Sequence, residues 1–121
     1  MTRRPMGTKD SWRRPCVTTD TQWQGNPITV SVGLYLDGTP GEVFADASYR
    51  VQPLVHGTLS DACVGISISL QHGISPDDLA KSLGTVPFWE LVGGEMVMVD
   101  APASPIGTII AEIRKAADHG D

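Results

Sequence analysis

The strongest constraint on the fold is the alternation of apolar and polar residues between Ile28 and Leu36. The aliphatic residues of this stretch share one parity: Ile28, Val30, Val32 and Leu34. Successive side chains of a strand point to opposite faces, so the pattern predicts a half-buried β-strand. Asp37-Gly38 follows and is typical of a tight turn. Residues 42–46 are then predicted as the returning strand of a hairpin, with Pro40 in the connection because proline cannot donate to a ladder.

A long helix is predicted beyond the hairpin, because apolar residues recur there at helical spacing. They are Leu59, Ala62, Cys63, Ile66 and Leu70. Val64 and Ile68 widen the apolar face past half of the circumference, so we expect this to be the most buried helix of the fold. Thr58 or Ser60 would cap its start, and Gly73 would end it in the left-handed conformation.

Two Ser-Pro pairs predict the starts of two more helices, since serine suits the N-cap and proline the first turn. Ser75-Pro76 would begin a short helix that stops at Gly84, and Ser104-Pro105 would begin the last helix. The apolar face of that helix carries Ile106, Ile109, Ile110 and Ile113. Strands first and helices later predict an α+β fold, with a small antiparallel sheet packed on the long helix, the short helix and the C-terminal helix.

Two further segments are predicted as loops. Residues 47–57 have a mixed composition, with a short strand near Tyr49 as an alternative. Residues 85–103 are rich in Pro and Gly, with Gly93-Gly94 as a turn and a single short strand at 96–99. In this prediction the second loop contributes little regular structure.

The charges divide the chain into a basic N-terminal arm and an acidic body. Five of the nine basic residues fall within the first fourteen positions: Arg3, Arg4, Lys9, Arg13 and Arg14. From Pro15 onward there are four basic and thirteen acidic residues. We therefore divide the chain into an arm over residues 1–26 and an α+β domain over residues 27–121. Trp12 and Trp23 lie in the arm, and tryptophan gains most from burial, so part of the arm should pack on another surface.

Size and composition fit one globular domain. The chain has 121 residues, of which 40% are hydrophobic and 19% charged. No run of about 18 apolar residues is present, which predicts no membrane span, and the N-terminal arginines are followed by no signal-peptide core. Two cysteines are too few for a disulfide scaffold, so a cytoplasmic protein of a bacterial or phage-infected cell is expected.

Nothing in the sequence forms a convincing catalytic constellation. The glycines match no phosphate-binding loop, and the cysteines and histidines lack metal-ligand spacing, so no cofactor or metal is expected. Glu42 and Asp46 would share one strand face, and His56 is close in sequence to Ser60 and Asp61. An enzyme whose site forms between subunits from such residues is the least favoured hypothesis.

Several stretches resemble the TSCPD domain, a small module of vitamin B12-dependent (class II) ribonucleotide reductases that also occurs as short free-standing proteins. The stretches are residues 37–46, 59–63, 66–73, 78–83 and 103–107. Their order and spacing carry the resemblance across about residues 28–112. The resemblance implies an α+β module associated with deoxyribonucleotide synthesis.

The chain departs from the cysteine-containing members of that family near the last helix. Where those read Thr-Ser-Cys-Pro-Asp, this chain reads Ala-Ser-Pro-Ile-Gly over residues 103–107. The missing cysteine puts any thiol or metal role in doubt, and the chain is too small for the reductase reaction itself.

The favoured hypothesis is a non-catalytic binding or accessory module, with a ribonucleotide reductase or another nucleotide enzyme as its protein partner. Its binding residues would come from the strand over residues 41–46, from Phe88 and Trp89, and from the arm. The candidates are Arg3, Arg4, Arg13, Arg14, Glu42, Asp46, Asp61, Phe88 and Trp89. We interpret these two aromatics either as a loop anchor in the core or as an interface hot spot. The alternative is a protein, for instance of phage origin, whose arm binds nucleic acid or a larger assembly. A homodimer is also considered, because a sheet of few strands leaves an edge to cover.

Overall fold

A computed structural model describes residues 2–5, 16–47 and 53–119 of the chain. In order, these residues form β1 (Cys16–Trp23), β2 (Asn26–Leu34), β3 (Pro40–Ala47), α1 (Pro53–Gln71), α2 (Pro76–Lys81), β4 (Thr85–Val92), β5 (Glu95–Pro102) and α3 (Pro105–His119). Two antiparallel sheets with the order β1-β2-β3 and β4-β5, plus the helices, give the predicted α+β fold.

The first sheet confirms the alternation that predicted its central strand. The four aliphatic residues of β2 are all buried, and together with Val43 of β3 they line the face that the helices cover. The connection after β2 is tight, since Gly38 adopts a φ of 89° and its N–H donates to the Tyr35 carbonyl at 2.9 Å. Pro40 forms the first residue of β3, where it pairs with Leu34.

A strand precedes this hairpin, although the sequence predicted none before residue 28. β1 lies within the segment assigned to the arm and pairs with β2 along its whole length. A two-residue turn joins the strands, with φ values of 48° at Gln24 and 82° at Gly25, which match a type I′ turn. β1 was missed because its inward residues include Thr19 and Thr21, which weaken the apolar alternation.

The long helix α1 lies along the outer edge of β3. The Ser67 hydroxyl accepts from the Val43 N–H at 2.9 Å and reaches the Val43 carbonyl at 3.3 Å, and the Gln71 amide donates to the Gly41 carbonyl at 2.9 Å. These bonds satisfy peptide groups that a neighbouring strand would otherwise bind. The helix therefore closes one edge of the sheet.

Two expectations for this helix are wrong. It begins at Pro53, so Thr58 and Ser60 lie inside it and do not cap it. It also buries only one face, because Val64 is 59% exposed and Ile68 lies on the same outer side. The predicted end is confirmed, since Gly73 adopts a φ of 91° and its N–H donates to the Leu70 carbonyl at 3.0 Å.

The other two helices begin as predicted. The Ser75 hydroxyl accepts from the Asp78 N–H at 3.1 Å at the start of α2, although this helix ends at Lys81, before Gly84. α3 packs on the covered face of the first sheet through Ile109, Ile110 and Ile113, which are buried. An ion pair of 2.7 Å between Arg114 and Asp77 ties α3 to α2.

The loop predicted over residues 85–103 is wrong, because this segment forms the second sheet. β4 and β5 make a regular antiparallel hairpin of eight residues per strand. The alternative of a short strand near Tyr49 falls outside the described residues. Among the described helices, none is long and apolar enough to cross a membrane.

Candidate functional site

The hairpin β4–β5 turns at two glycines. Gly93 and Gly94 have φ values of 59° and 85°, which match the type I′ turn that two-residue hairpins favour. Val92 and Glu95 flank the turn and pair with each other, and the register then runs without a shift to Thr85 and Pro102. This register assigns every side chain of the hairpin to one of two faces.

One side of the hairpin, here called the Trp face, is apolar in its outer half, whereas Asp100 and Thr85 lie on it near the base. Its cross-strand pairs are Trp89 with Met98 and Leu91 with Met96. Trp89 is 57% exposed and Leu91 67% exposed, and both methionines are exposed as well. Side chains of this kind are normally buried, since each gains about 1.5–3 kcal/mol on leaving water.

The opposite side, here called the Phe face, is also rich in apolar residues. Phe88 pairs with Val99, and Glu90 pairs with Val97. Phe88 is exposed, and the two valines are partly exposed. The interpretation of Phe88 and Trp89 as anchors in the core is therefore wrong, because both lie on an exposed strand.

Among the described residues, the hairpin joins the body at its base alone. The Trp23 indole N–H donates to the Pro102 carbonyl at 2.9 Å, and the Ala103 N–H donates to the Gly84 carbonyl at 3.0 Å. Gly107 of α3 lies so close to Pro102 that a Cβ there would be 2.7 Å from the proline Cβ. These contacts fix how the hairpin leaves the body, and its outer half projects with both faces uncovered among the described residues.

The two outer edges of the hairpin differ. Val92 and Glu95 flank the two-residue turn, so their peptide groups bond to each other across the hairpin. The peptide groups of the residues next to them, and of every second residue from there, point away from the partner strand. On β4 these positions include Pro87, which has no N–H and interrupts that edge. On β5 they include Met96, Met98 and Asp100, which retain their N–H groups. The edge of β5 is therefore the more complete template for another strand.

The hairpin is acidic. Residues 85–102 include Glu90, Glu95 and Asp100 and no Lys or Arg. Glu95 lies beside the turn and Asp100 near the base, whereas Glu90 lies on the Phe face, between the levels of the two apolar pairs. A centre of apolar residues bordered by charge is the usual arrangement of a protein interface.

The predicted arginine site is only partly described. Arg3 donates to the Gln71 side chain, and the Arg4 guanidinium bonds to Asp37 at 3.1 Å and lies 3.6 Å from the centre of the Tyr35 ring. The Tyr35 hydroxyl donates to the Arg4 carbonyl at 2.9 Å. These two arginines are thus engaged with the body, whereas Arg13 and Arg14 lie outside the described residues.

The acceptor of Arg4 is a carboxylate with a perturbed pKa. The Thr39 hydroxyl and backbone N–H donate to Asp37 at 2.6 and 3.0 Å and, with a smaller effect from Arg4, lower its pKa from the ordinary 3.8 to about 2. The charged form is favoured because each donor bonds more strongly to a carboxylate than to a neutral acid. Asp37 thus holds the start of the chain against the β2–β3 connection.

The acidic residues predicted for binding or catalysis do not converge. Asp46 lies 3.9 Å from His56 Nδ1, a buried nitrogen that accepts or donates no hydrogen bond within the described part of the chain. Glu42 lies on β3 over Gly33, close enough that a Cβ at Gly33 would contact its side chain at 2.7 Å. Asp61 is exposed on α1, away from the buried face of the helix. The arrangement does not form a cleft around a carboxylate pair.

The described residues contain no group of three His, Cys, Asp or Glu side chains that could hold a metal ion. Cys63 is buried as predicted, and this burial raises the pKa of its thiol, although a bond with the Ala45 backbone acts in the opposite direction. Cys16 is exposed on β1. The buried Cys63 therefore lacks the surroundings of an activated nucleophile.

Phe88 and Trp89 were predicted from the sequence as candidate binding residues, but the exposed Leu91, Met96 and Met98 were not. One signal was available, because Gly93-Gly94 separates two apolar runs of equal length, as in a two-residue hairpin. Comparison of the chain with protein-family models, curated proteins and solved structures gave no match. The resemblance to the TSCPD domain therefore stays a prediction.

Proposed function

We propose that this chain is a protein-binding module whose docking element is the hairpin β4–β5. The observation that carries the proposal is the exposure of apolar side chains on both faces of a projecting two-stranded sheet. A lone hairpin is at best marginally stable in water. Binding would cover this surface and give the hairpin packing that the described residues of the body do not supply.

The size of the surface supports a specific interface. Six large apolar side chains of the hairpin are each more than a third exposed: Phe88, Trp89, Leu91, Val92, Met96 and Met98. Four of the six share the Trp face, where one partner surface can cover them together: Trp89, Leu91, Met96 and Met98. Tryptophan at the centre of such a surface is the residue type most often found at hot spots.

The resemblance to the TSCPD domain suggests which partner to look for. It predicts an accessory role beside a nucleotide enzyme, with a ribonucleotide reductase as the first example. In this proposal the hairpin, and neither the Glu42 to Asp46 strand nor the arm, provides the main contact. The partner's surface would be apolar at its centre and basic at its rim, to match the acids of the hairpin.

The test is a quantitative pull-down from native cells with the full chain and two variants. Trp89→Ser combined with Leu91→Ser removes the centre of the Trp face. Phe44→Ser is the matched control, because Phe44 is 62% exposed on the outer face of the first sheet, away from the hairpin. Circular dichroism checks that each variant is folded.

We expect the hairpin variant to lose its partner by more than tenfold, since a hot-spot side chain contributes about 2 kcal/mol or more and 1.4 kcal/mol is tenfold. The Phe44 variant should bind as the wild type does. Recovery of a nucleotide enzyme in this pattern would support the accessory role. Equal recovery with all three proteins would refute the hairpin as the docking element.

A further inference from the structure

The first sheet has an outer edge that no described element covers. The N–H and C=O groups of Val43 on β3 bond to Ser67 and so point away from β2. Val32 is the partner of Val43 on β2, so its peptide groups point the other way, toward Val17 of β1. Peptide groups alternate along a strand. Those of Thr18, Asp20 and Gln22 therefore point outward, to the side of β1 where no described strand or helix pairs.

A groove runs beside this edge, between β1 and α3. Its volume is about 320 Å³, and its walls include Val17, Thr21 and Ala116. Glu112 is buried in the groove and accepts from the Lys115 ammonium at 3.3 Å, while the Lys115 side chain is 68% exposed. A strand added to β1 would lay alternate side chains over this groove.

We propose that the occupant of this edge is β5 of a second copy of the chain, so that the hairpin of one copy extends the three-stranded sheet of the next. The inference rests on the proposed function and names the partner of the same hairpin. β1 and β5 each have eight residues. Each also presents outward peptide groups at three alternate positions that keep their N–H groups, which is the requirement for β-augmentation.

Charge distinguishes this contact from a symmetric pairing of two hairpins. Hairpin against hairpin would bring six carboxylates together without a basic residue among residues 85–102 of either copy. The β1 edge instead offers Lys115, whose own acidic partner is buried beneath it. Asp20 accepts from the Thr29 hydroxyl at 2.8 Å and also lines the groove, so the charged residues there (Asp20, Glu112 and Lys115) sum to one negative charge, against three on a second hairpin. The acidic hairpin is thus repelled less at β1 than at a second hairpin.

Strand pairing also explains why the unprotected edges are tolerated. Long exposed edges with apolar side chains are aggregation sites unless they are blocked or covered. Within the described residues, Pro87 blocks β4 and α1 covers β3, whereas β1 and the Met96 to Asp100 part of β5 have neither protection. A contact that joins these two edges between copies removes both at once. It closes either as a dimer with two reciprocal contacts or as a larger ring.

Disulfide cross-linking of the full chain tests the pairing, because Cys16 lies exposed at one end of β1 and Cys63 is buried. We expect Asp100→Cys to form a linked dimer with Cys16 if the strands are antiparallel, and Met96→Cys to do so if they are parallel. Val64→Cys on the exposed side of α1 is the control and should not cross-link. Adding Cys16→Ser to the reactive variant should abolish the product.

Sedimentation velocity separates failure of this inference from failure of the proposed function. We expect an oligomer for the wild type and for Phe44→Ser, and the mass of a single chain for Trp89→Ser with Leu91→Ser. A wild-type monomer at tens of micromolar, or an oligomer whose only cross-link joins two Cys16 residues, overturns the pairing of β5 with β1. If the hairpin variant still loses a native partner in the pull-down, the proposed function survives that result.

Discussion

The two sheets of this protein use the same connection and differ in what covers them. Each sheet contains a hairpin closed by a type I′ turn, β1–β2 in the first sheet and β4–β5 in the second. Each hairpin has eight cross-strand residue pairs. The first sheet packs one face on α3 and one edge on α1, and its outer face is mainly polar. The second sheet presents apolar residues on both faces, and the described part of the body holds it at its base. A similar local geometry thus serves as core in one case and as exposed surface in the other.

This difference indicates where folding free energy and binding free energy reside. Burial of β2 contributes to folding because its side chains leave water within the chain. The side chains of β4 and β5 remain largely exposed, so most of their transfer free energy is available for association. Matched substitutions in the two sheets should therefore affect different measurements.

The largest contrast is expected for two leucines. Leu34→Ala removes a fully buried side chain and should lower the free energy of unfolding by about 2–5 kcal/mol. Leu91→Ala removes an exposed one and should change it by less than about 0.5 kcal/mol. Urea denaturation at low protein concentration measures both. A cost above 1 kcal/mol at Leu91 would show that the hairpin is packed within the single chain.

A second contrast lies at the base of the hairpin. Gly107→Val places a side chain against Pro102 and should cost about 1–3 kcal/mol, because a close-packed contact cannot accommodate the added carbons. Gly65→Ala is the control, since no atom lies within 4 Å of the added Cβ on α1, and it should stabilise the chain by about 0.5–1 kcal/mol. Thermal unfolding measures both. A neutral Gly107→Val would mean that the base is not closely packed.

The parts of the fold that obey a simple period were predictable. The alternation of β2, the Asp37-Gly38 turn and the apolar face of α3 were all identified from the sequence. A strand with one buried face has a period of two that is visible in the residue types. Serine and glycine likewise mark helix ends by local hydrogen bonding and backbone geometry, so Ser75 and Gly73 were placed correctly.

The second sheet lacked such a pattern, because both of its faces carry apolar residues. Phe88 and Trp89 differ little in polarity although they point in opposite directions, and Pro87 argued against a strand. The burial of α1 was overestimated for the same reason. Val64 is a residue type that is common in protein cores, yet it is exposed on the outer side of this helix. The residue types of a binding surface are selected by contacts with a partner, and a single sequence does not contain the partner. The structure was therefore needed to show that these apolar residues are exposed.

A third, smaller contrast concerns the edges of the first sheet. Ser67→Ala should cost about 1–2 kcal/mol, because it leaves the Val43 N–H unpaired beneath α1. Ser69→Ala is the matched control, since its hydroxyl donates to the Gly65 carbonyl one turn earlier in an exposed part of the helix. It should be nearly neutral by chemical denaturation. Equal effects of the two variants would contradict the assignment of α1 as the cover of the β3 edge.

The smallest effect on stability is expected at the connection between β2 and β3. Side-chain hydrogen bonds support this connection, whereas the β4–β5 turn is made of two glycines and has no side chains to form such bonds. NMR titration should give Asp37 a pKa of about 2 in the wild type. Thr39→Ala should raise this pKa toward 3.8, because it removes the hydroxyl bond that lowers it most. Arg4→Ala should raise it less. The pKa of Asp78, which Lys81 lowers elsewhere in the chain, should not respond to either change.

The sign of the pH dependence follows from that shift. The pKa of Asp37 is lower in the folded chain than its ordinary value, so the unfolded chain binds the proton more readily. The stabilisation from Asp37 is therefore present above about pH 3.8 and is lost as the pH falls toward 2. The difference in unfolding free energy between wild type and Thr39→Ala should shrink over the same range. A difference that stays constant down to pH 2 would mean that Thr39 stabilises the connection without the charge of Asp37.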